Sequence, residues 1–91
     1  MAEATDVAEL TAAELLRHYR SGSLSPVEAA RAGLERIAQH NDTVNAFCLV
    51  DEETTLAAAR RAEERYRRGE PMGALDGVPV AIKDVFLTRG W

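Results

Sequence analysis

A chain of 91 residues with 46% hydrophobic and 29% charged side chains has room for one small globular unit or part of a larger one, and its composition excludes a largely disordered polymer. A formal charge of −4 argues against general affinity for nucleic-acid backbones or anionic lipid, and a single cysteine excludes an internal disulfide or a thiolate-rich metal site. No apolar run approaches the ~20 residues of a membrane helix, and the acidic start (Met1-Ala2-Glu3-Ala4-Thr5-Asp6) lacks the apolar stretch of an export signal, so a cytoplasmic location is expected.

The first helix is predicted to begin after Thr11. Thr11-Ala12-Ala13-Glu14 has the form of a capping box, and Leu10 and Leu15 have the spacing of a hydrophobic staple. Ala12, Leu15, Leu16 and Tyr19 share one helical face, and Gly22 is the expected stop. The second helix starts by the same device, with Ser25 as cap, Pro26 in the first turn and Glu28 closing the box. Val27, Ala30, Leu34, Ile37 and Ala38 line one side, and Asn41-Asp42 is expected to end it. With Ser21-Gly22-Ser23-Leu24 as the joint, residues 10–41 read as an antiparallel helical hairpin.

Val44 to Val50 is apolar on both alternating faces except at Asn45 and reads as a strand covered on both sides. Asp51, Glu52 and Glu53 open a third helix whose far end carries Arg60, Arg61, Arg65, Arg67 and Arg68, an order that complements the helix dipole. Glu63–Arg67 and Glu64–Arg68 are favourable i,i+4 pairs, while Leu56, Ala59, Ala62 and Tyr66 form a narrow face. Gly69 and Pro71 end this helix. After the turn residues Gly73 and Asp76-Gly77, Val78-Pro79-Val80-Ala81-Ile82 reads as a second strand, with Pro79 tolerable near its start.

The expected fold class is therefore α/β. A helical hairpin leads into a strand–helix–strand unit over 44–91, with its strands parallel, that opens a mixed sheet covered by helices. Phe86, Leu87 and Trp91 leave apolar groups with little chain to bury them, so residues 1–91 are expected to be the N-terminal part of a single larger domain. An exposed apolar strand predicts self-association when the chain stands alone.

The chemistry concentrates at Lys83. The chain has ten arginines and one lysine, and that lysine directly follows an apolar run. Arginine keeps its proton in proteins, whereas a desolvated lysine can lose its proton near neutral pH and act as a general base. The end of a strand is also where open α/β sheets place ligands. On spacing alone, a strand-end lysine reaching solvent is the commoner outcome. Cys48, mid-run among Phe47, Leu49 and Val50, reads as an inert buried thiol rather than a nucleophile. His18 and His40 show no metal-ligand spacing, and the Arg60–Arg68 run is diluted by Glu63 and Glu64, so a solvated helix end fits it better than a nucleic-acid patch.

The stretch Leu75-Asp76-Gly77-Val78-Pro79-Val80-Ala81-Ile82-Lys83-Asp84 resembles the lysine-bearing motif of the amidase signature family. The capped helix pair, Asn45-Ala46-Phe47 and the Ala/Arg/Glu-rich third helix resemble the same family's N-terminal segment in the same order, so the likeness covers about Leu10 to Trp91. The resemblance implies an amidase signature fold, incomplete here, and hydrolysis of small carboxamides by a Ser–cis-Ser–Lys triad with no metal or organic cofactor. Lys83 takes the place of the lysine, a neutral amine that draws a proton through the bridging serine while the nucleophilic serine forms an acyl-enzyme. The family's glycine- and serine-rich signature, with both triad serines and the oxyanion donors, is expected further downstream. Ser21, Ser23 and Ser25 lie in no glycine-rich stretch, so the chain alone is expected to be inactive. Val85 to Trp91 resembles the general amidases more than the A-type chains of amidotransferases. The A-type chain of a tRNA-dependent amidotransferase is the alternative, and implies partner subunits and tRNA. A third reading is a non-catalytic helical interaction module in which Lys83 is an ordinary surface charge.

Overall fold

The computed structural model describes residues 7–47 and 49–82. A short 3-10 turn, Val7–Glu9, precedes three α-helices: α1 (Ala12–Ser21), α2 (Pro26–Val44) and α3 (Glu52–Arg67).

Local sequence chemistry sets the helix ends. Thr11 Oγ1 accepts from the Glu14 N–H at 3.1 Å while the Glu14 carboxylate accepts from the Thr11 N–H at 2.8 Å, so two otherwise orphaned donors are satisfied together. Ser25 and Glu28 repeat the arrangement at 3.2 and 2.9 Å, with Pro26 in the first turn. Asp51 caps α3, accepting from both the N–H and the hydroxyl of Thr54. At the other ends, α1 and α3 close with the two-bond glycine stop. Ser23 N–H donates to the His18 carbonyl and Gly22 N–H to that of Tyr19; Glu70 N–H donates to Arg65 and Gly69 N–H to Tyr66. Gly22 and Gly69 both take positive φ, at 81° and 72°.

α2 departs from the expected end at Asn41-Asp42. It continues to Val44 and stops at Asn45, which adopts the left-handed conformation at φ 52° and donates its N–H to the Asn41 carbonyl. Asparagine tolerates this region better than other side-chain-bearing residues. Asn41 instead reaches beyond the stop. Its amide donates to the Phe47 carbonyl at 2.9 Å and accepts from the Phe47 N–H at 2.8 Å, imitating a backbone partner.

The α/β expectation is overturned: no strand or sheet occurs among the described residues, and the strands expected at 44–50 and 78–82 are absent there. Val44 belongs to α2, Asn45 is its stop, and the Phe47 backbone pairs with a side chain rather than a neighbouring strand. A strand needs a ladder partner for its N–H and C=O groups, and α3 gives its apolar face to α2 instead of to a sheet. Val44, Leu49, Val80 and Ile82 stay exposed, Val80 at 82%.

The core lies where α2 meets its neighbours. Ala59 of α3, with Leu56 beside it, packs on Val27 and Ala30 of α2, and these small side chains let the two helices approach closely. Leu15 and Tyr19 of α1 meet Ala29 of α2, with Leu10, Leu24 and Tyr66 around them. Leu10, expected to staple onto Leu15, packs against this cluster. Arg36 of α2 bonds Glu9 at 3.1 Å and ties the first turn to the bundle.

Because Ser25 satisfies an otherwise unpaired donor at the start of the central helix, Ser25→Ala is expected to destabilise the chain by about 1 kcal/mol. Urea denaturation should show the lowered midpoint with an unchanged slope.

Candidate functional site

The segment entering the lysine motif is held by side chains from two helices. The Tyr66 hydroxyl of α3 donates to the Asp76 carbonyl at 2.7 Å, and the Tyr19 hydroxyl of α1 donates to the adjacent Gly77 carbonyl at 2.9 Å. The two rings lie 5.3 Å apart and tilted at 52°, within the favourable range for aromatic pairs. Arg65, one residue before Tyr66, grips the Asp76 carboxylate in a two-pronged bond, with Nε and one terminal nitrogen each 2.7 Å from an oxygen. One of those oxygens also accepts the Met72 N–H at 2.8 Å. The Asp76 side chain is only 5% exposed, so its charge is paired and hydrogen-bonded as burial demands.

Gly77 completes the junction. Its φ is 86°, and a Cβ there would lie 2.9 Å from the Pro26 ring and 3.1 Å from the Tyr19 ring. Pro26 is the most thoroughly buried side chain among the described residues, so the start of α2 supplies the wall against which residue 77 is pressed. Two successive turn bonds, Asp76 N–H to Gly73 and Val78 N–H to Leu75, carry the chain through the corner.

The electrostatics follow from these contacts. The bonds from Arg65 hold the Asp76 carboxyl below the ordinary carboxylate value. Burial pushes the Tyr19 hydroxyl up to about 12, and burial likewise raises Tyr66. Both phenols therefore stay neutral donors across the physiological range.

Lys83 and Cys48, which the sequence singles out, lie outside the described residues, the lysine directly after Ile82. Tyr19 and Tyr66 are on the core-facing stripes that periodicity marks, but periodicity does not reveal their hydroxyl bonds. The available signal is that tyrosine stands where phenylalanine would serve burial alone, and a buried hydroxyl needs a partner. Arg65 and Asp76 carry no pairing signal, because a turn residue and a helix-end arginine are eleven positions apart.

The three serines are engaged locally. Ser25 caps α2, while Ser21 and Ser23 form a chain with His18, Ser21 Oγ to Ser23 Oγ at 2.9 Å and Ser23 Oγ to His18 Nδ1 at 2.7 Å. Because Ser21 also donates to the His18 carbonyl at 3.1 Å, this cluster finishes the end of α1. The expected pairs Glu63–Arg67 and Glu64–Arg68 form, at 3.9 and 3.5 Å, on an exposed face. No helix among the described residues is long and apolar enough to cross a membrane.

Two substitutions and a titration test this junction. Gly77→Ala combines a left-handed backbone with a filled space and should destabilise by about 2–4 kcal/mol, whereas Gly73→Ala, with open space around it and no positive φ, should be tolerated; thermal melts of the pair make the comparison. In pH titration, the stability owed to Asp76 is complete above the ordinary carboxylate value of 3.8 and is lost as pH falls below it toward the depressed folded value. That owed to Tyr19 is complete below 10 and lost between pH 10 and about 12. Denaturation midpoints across pH should fall at both ends, and Asp76→Asn should flatten the acid limb.

Comparison with known proteins gives the junction a context. The chain is 45% identical over 86 residues to the A-type chain of the glutamyl-tRNA(Gln) amidotransferase of Streptomyces coelicolor, covering 94% of this chain and 17% of that protein. It is 49% identical over 82 residues to the protein of the same name from Myxococcus xanthus, covering 90% and 17%, and 48% identical over 86 residues to that of Salinispora tropica, covering 94% and 18%. The chain thus spans about a sixth of the length of these curated relatives. No solved structure matches it. The model of the Amidase family matches residues 28–91, a span that runs from the first turn of α2 through the clamped junction to the lysine motif. The chain belongs to the amidase signature family.

Proposed function

We propose that the chain is the N-terminal part of an enzyme that releases nitrogen from a carboxamide, serving as the A-type chain of a glutamyl-tRNA amidotransferase, with Lys83 as its general base. The single observation that carries this reading is the similarity, over nine-tenths of the chain, to proteins bearing that name. By resemblance the last seven residues favour a freestanding amidase; the relatives weigh toward the amidotransferase. Partner subunits, tRNA and a small amide donor are the partners this reading requires.

The chemistry is a proton relay. Lys83, as a neutral amine, accepts a proton from a bridging serine, which takes one from the nucleophilic serine as that oxygen attacks the carboxamide carbon. The carbon–nitrogen bond breaks with proton return to the leaving nitrogen, and the resulting acyl-enzyme is cleared by water. Both serines belong to chain beyond these 91 residues. Ser25 is occupied as a helix cap, and Ser21 and Ser23 close the end of α1. Residues 1–91 alone are therefore expected to show no turnover.

The test uses the intact gene product, by itself and assembled with amidotransferase partner subunits, supplied with glutamine or asparagine as donor and glutamyl-tRNA(Gln) as acceptor. Ammonia release and amidation of the tRNA-bound glutamate are expected. Lys83→Ala and Lys83→Arg should each lower kcat by about 10²–10⁴-fold, because arginine keeps its proton. Donor hydrolysis with no dependence on partners and no transfer to tRNA would favour a freestanding amidase. Full activity in both Lys83 variants would remove the base assignment.

A further inference from the structure

We propose that Tyr19, Tyr66 and the Arg65–Asp76 pair are positioning residues for Lys83, a clamp on the two consecutive peptide units at 76 and 77 that sets where the chain launches toward the lysine. The proposal rests on the reading of Lys83 as the general base.

The geometry points to direction rather than burial as the role of these hydroxyls. A phenylalanine ring at 19 or 66 would fill nearly the same volume and keep the 5.3 Å ring contact. What the hydroxyls add is a bond to each of two adjacent carbonyls, 2.7 Å at Asp76 and 2.9 Å at Gly77. Fixing two successive carbonyl directions fixes the peptide planes between them. The Asp76 side chain is held at the same time, by Arg65 and by the Met72 N–H. Gly77 cannot relax by shifting, since Pro26 and the Tyr19 ring occupy the space beside it. All three helices therefore converge on one dipeptide, the first two by side-chain bond or packing and the third by both Arg65 and Tyr66.

From that dipeptide to Lys83 the chain is short. Six residues extend at most ~20 Å. Val78 is tied back to Leu75 by its N–H, and Pro79 holds its own φ near one value, which removes part of the freedom between clamp and lysine. A base must lie within hydrogen-bond reach of the proton it takes, and displacement by about 1 Å can cost about 10²-fold. Residues 79–82 are exposed, and the clamp upstream of them limits how far that placement can wander.

The test uses the intact gene product carrying Tyr19→Phe, Tyr66→Phe, both together, or Arg65→Lys, with Thr11→Ala as a control that weakens a helix cap away from the clamp. Each clamp variant is expected to lower kcat about tenfold with KM unchanged. The ascending limb of the pH–kcat profile should also move to higher pH, as a less well placed amine returns toward the ordinary lysine value of about 10.4. Thr11→Ala should lower the melting temperature and leave the profile in place. Independently of turnover, reductive methylation with ¹³C-formaldehyde gives Lys83 an NMR signal, assigned by its loss in Lys83→Arg, whose titration should shift upward in the clamp variants. Clamp variants that melt lower but keep the wild-type kcat, pH profile and Lys83 titration overturn the proposal while leaving the base assignment intact. If the Lys83 variants keep activity, the base assignment falls and the clamp's part in catalysis falls with it.

Discussion

Two phenolic hydroxyls bonded to the carbonyls of neighbouring residues connect the helical frame to the motif that marks the family. Tyr19 comes from α1 and Tyr66 from α3, and the carbonyls they hold belong to Gly77 and Asp76. Without these bonds the turn over 73–78 would be joined to the bundle mainly through the Arg65–Asp76 pair and the contact of Gly77 with Pro26. The burial that the helices achieve is therefore coupled to the placement of a loop that contributes few apolar contacts of its own.

The small core makes this coupling matter. Half of the buried side chains among the described residues are alanines, with Leu15, Tyr19, Val27 and Pro26 as the larger members. Alanine faces let α2 and α3 come close but remove little apolar area per residue from water. Directional contacts then carry a larger share of the definition of the structure: two capping boxes, two glycine stops, a two-pronged arginine–aspartate bond and the pairing of Asn41 with the Phe47 backbone. Large apolar groups at Val44, Leu49, Val80 and Ile82 remain in water, a distribution suited to a segment that spans about a sixth of the length of its relatives.

The elements legible in the sequence are those whose causes lie within four or five residues. Thr11 with Glu14 and Ser25 with Glu28 are complete local devices, as is the glycine stop at Gly22, and the structure contains each of them. The misreading of 44–50 has an equally local origin. Asn45 looks like the one polar interruption of a strand, yet an asparagine after a helical run is also a left-handed stop, and that role prevails. Period-two alternation describes which residues are apolar; it does not supply the neighbouring strand whose backbone a ladder requires. The lysine motif, by contrast, is visible because it is a contiguous string, and family membership follows from it. Its anchoring is not, because Tyr19 and Gly77 are separated by 58 positions.

The sequence by itself determined where the three helices begin, how α1 and α3 end, which faces are apolar, and that the chain carries a single lysine in an amidase-type string. Those properties arise from short-range hydrogen bonding, backbone torsional preference and side-chain spacing, which act before distant segments meet. Tertiary structure alone decided that α3 lies on α2 rather than on a sheet, and that Tyr19, Arg65 and Tyr66 seize Asp76 and Gly77. Such contacts depend on bringing remote groups within ~3 Å in the correct orientation, a condition that packing in three dimensions sets and linear order does not encode.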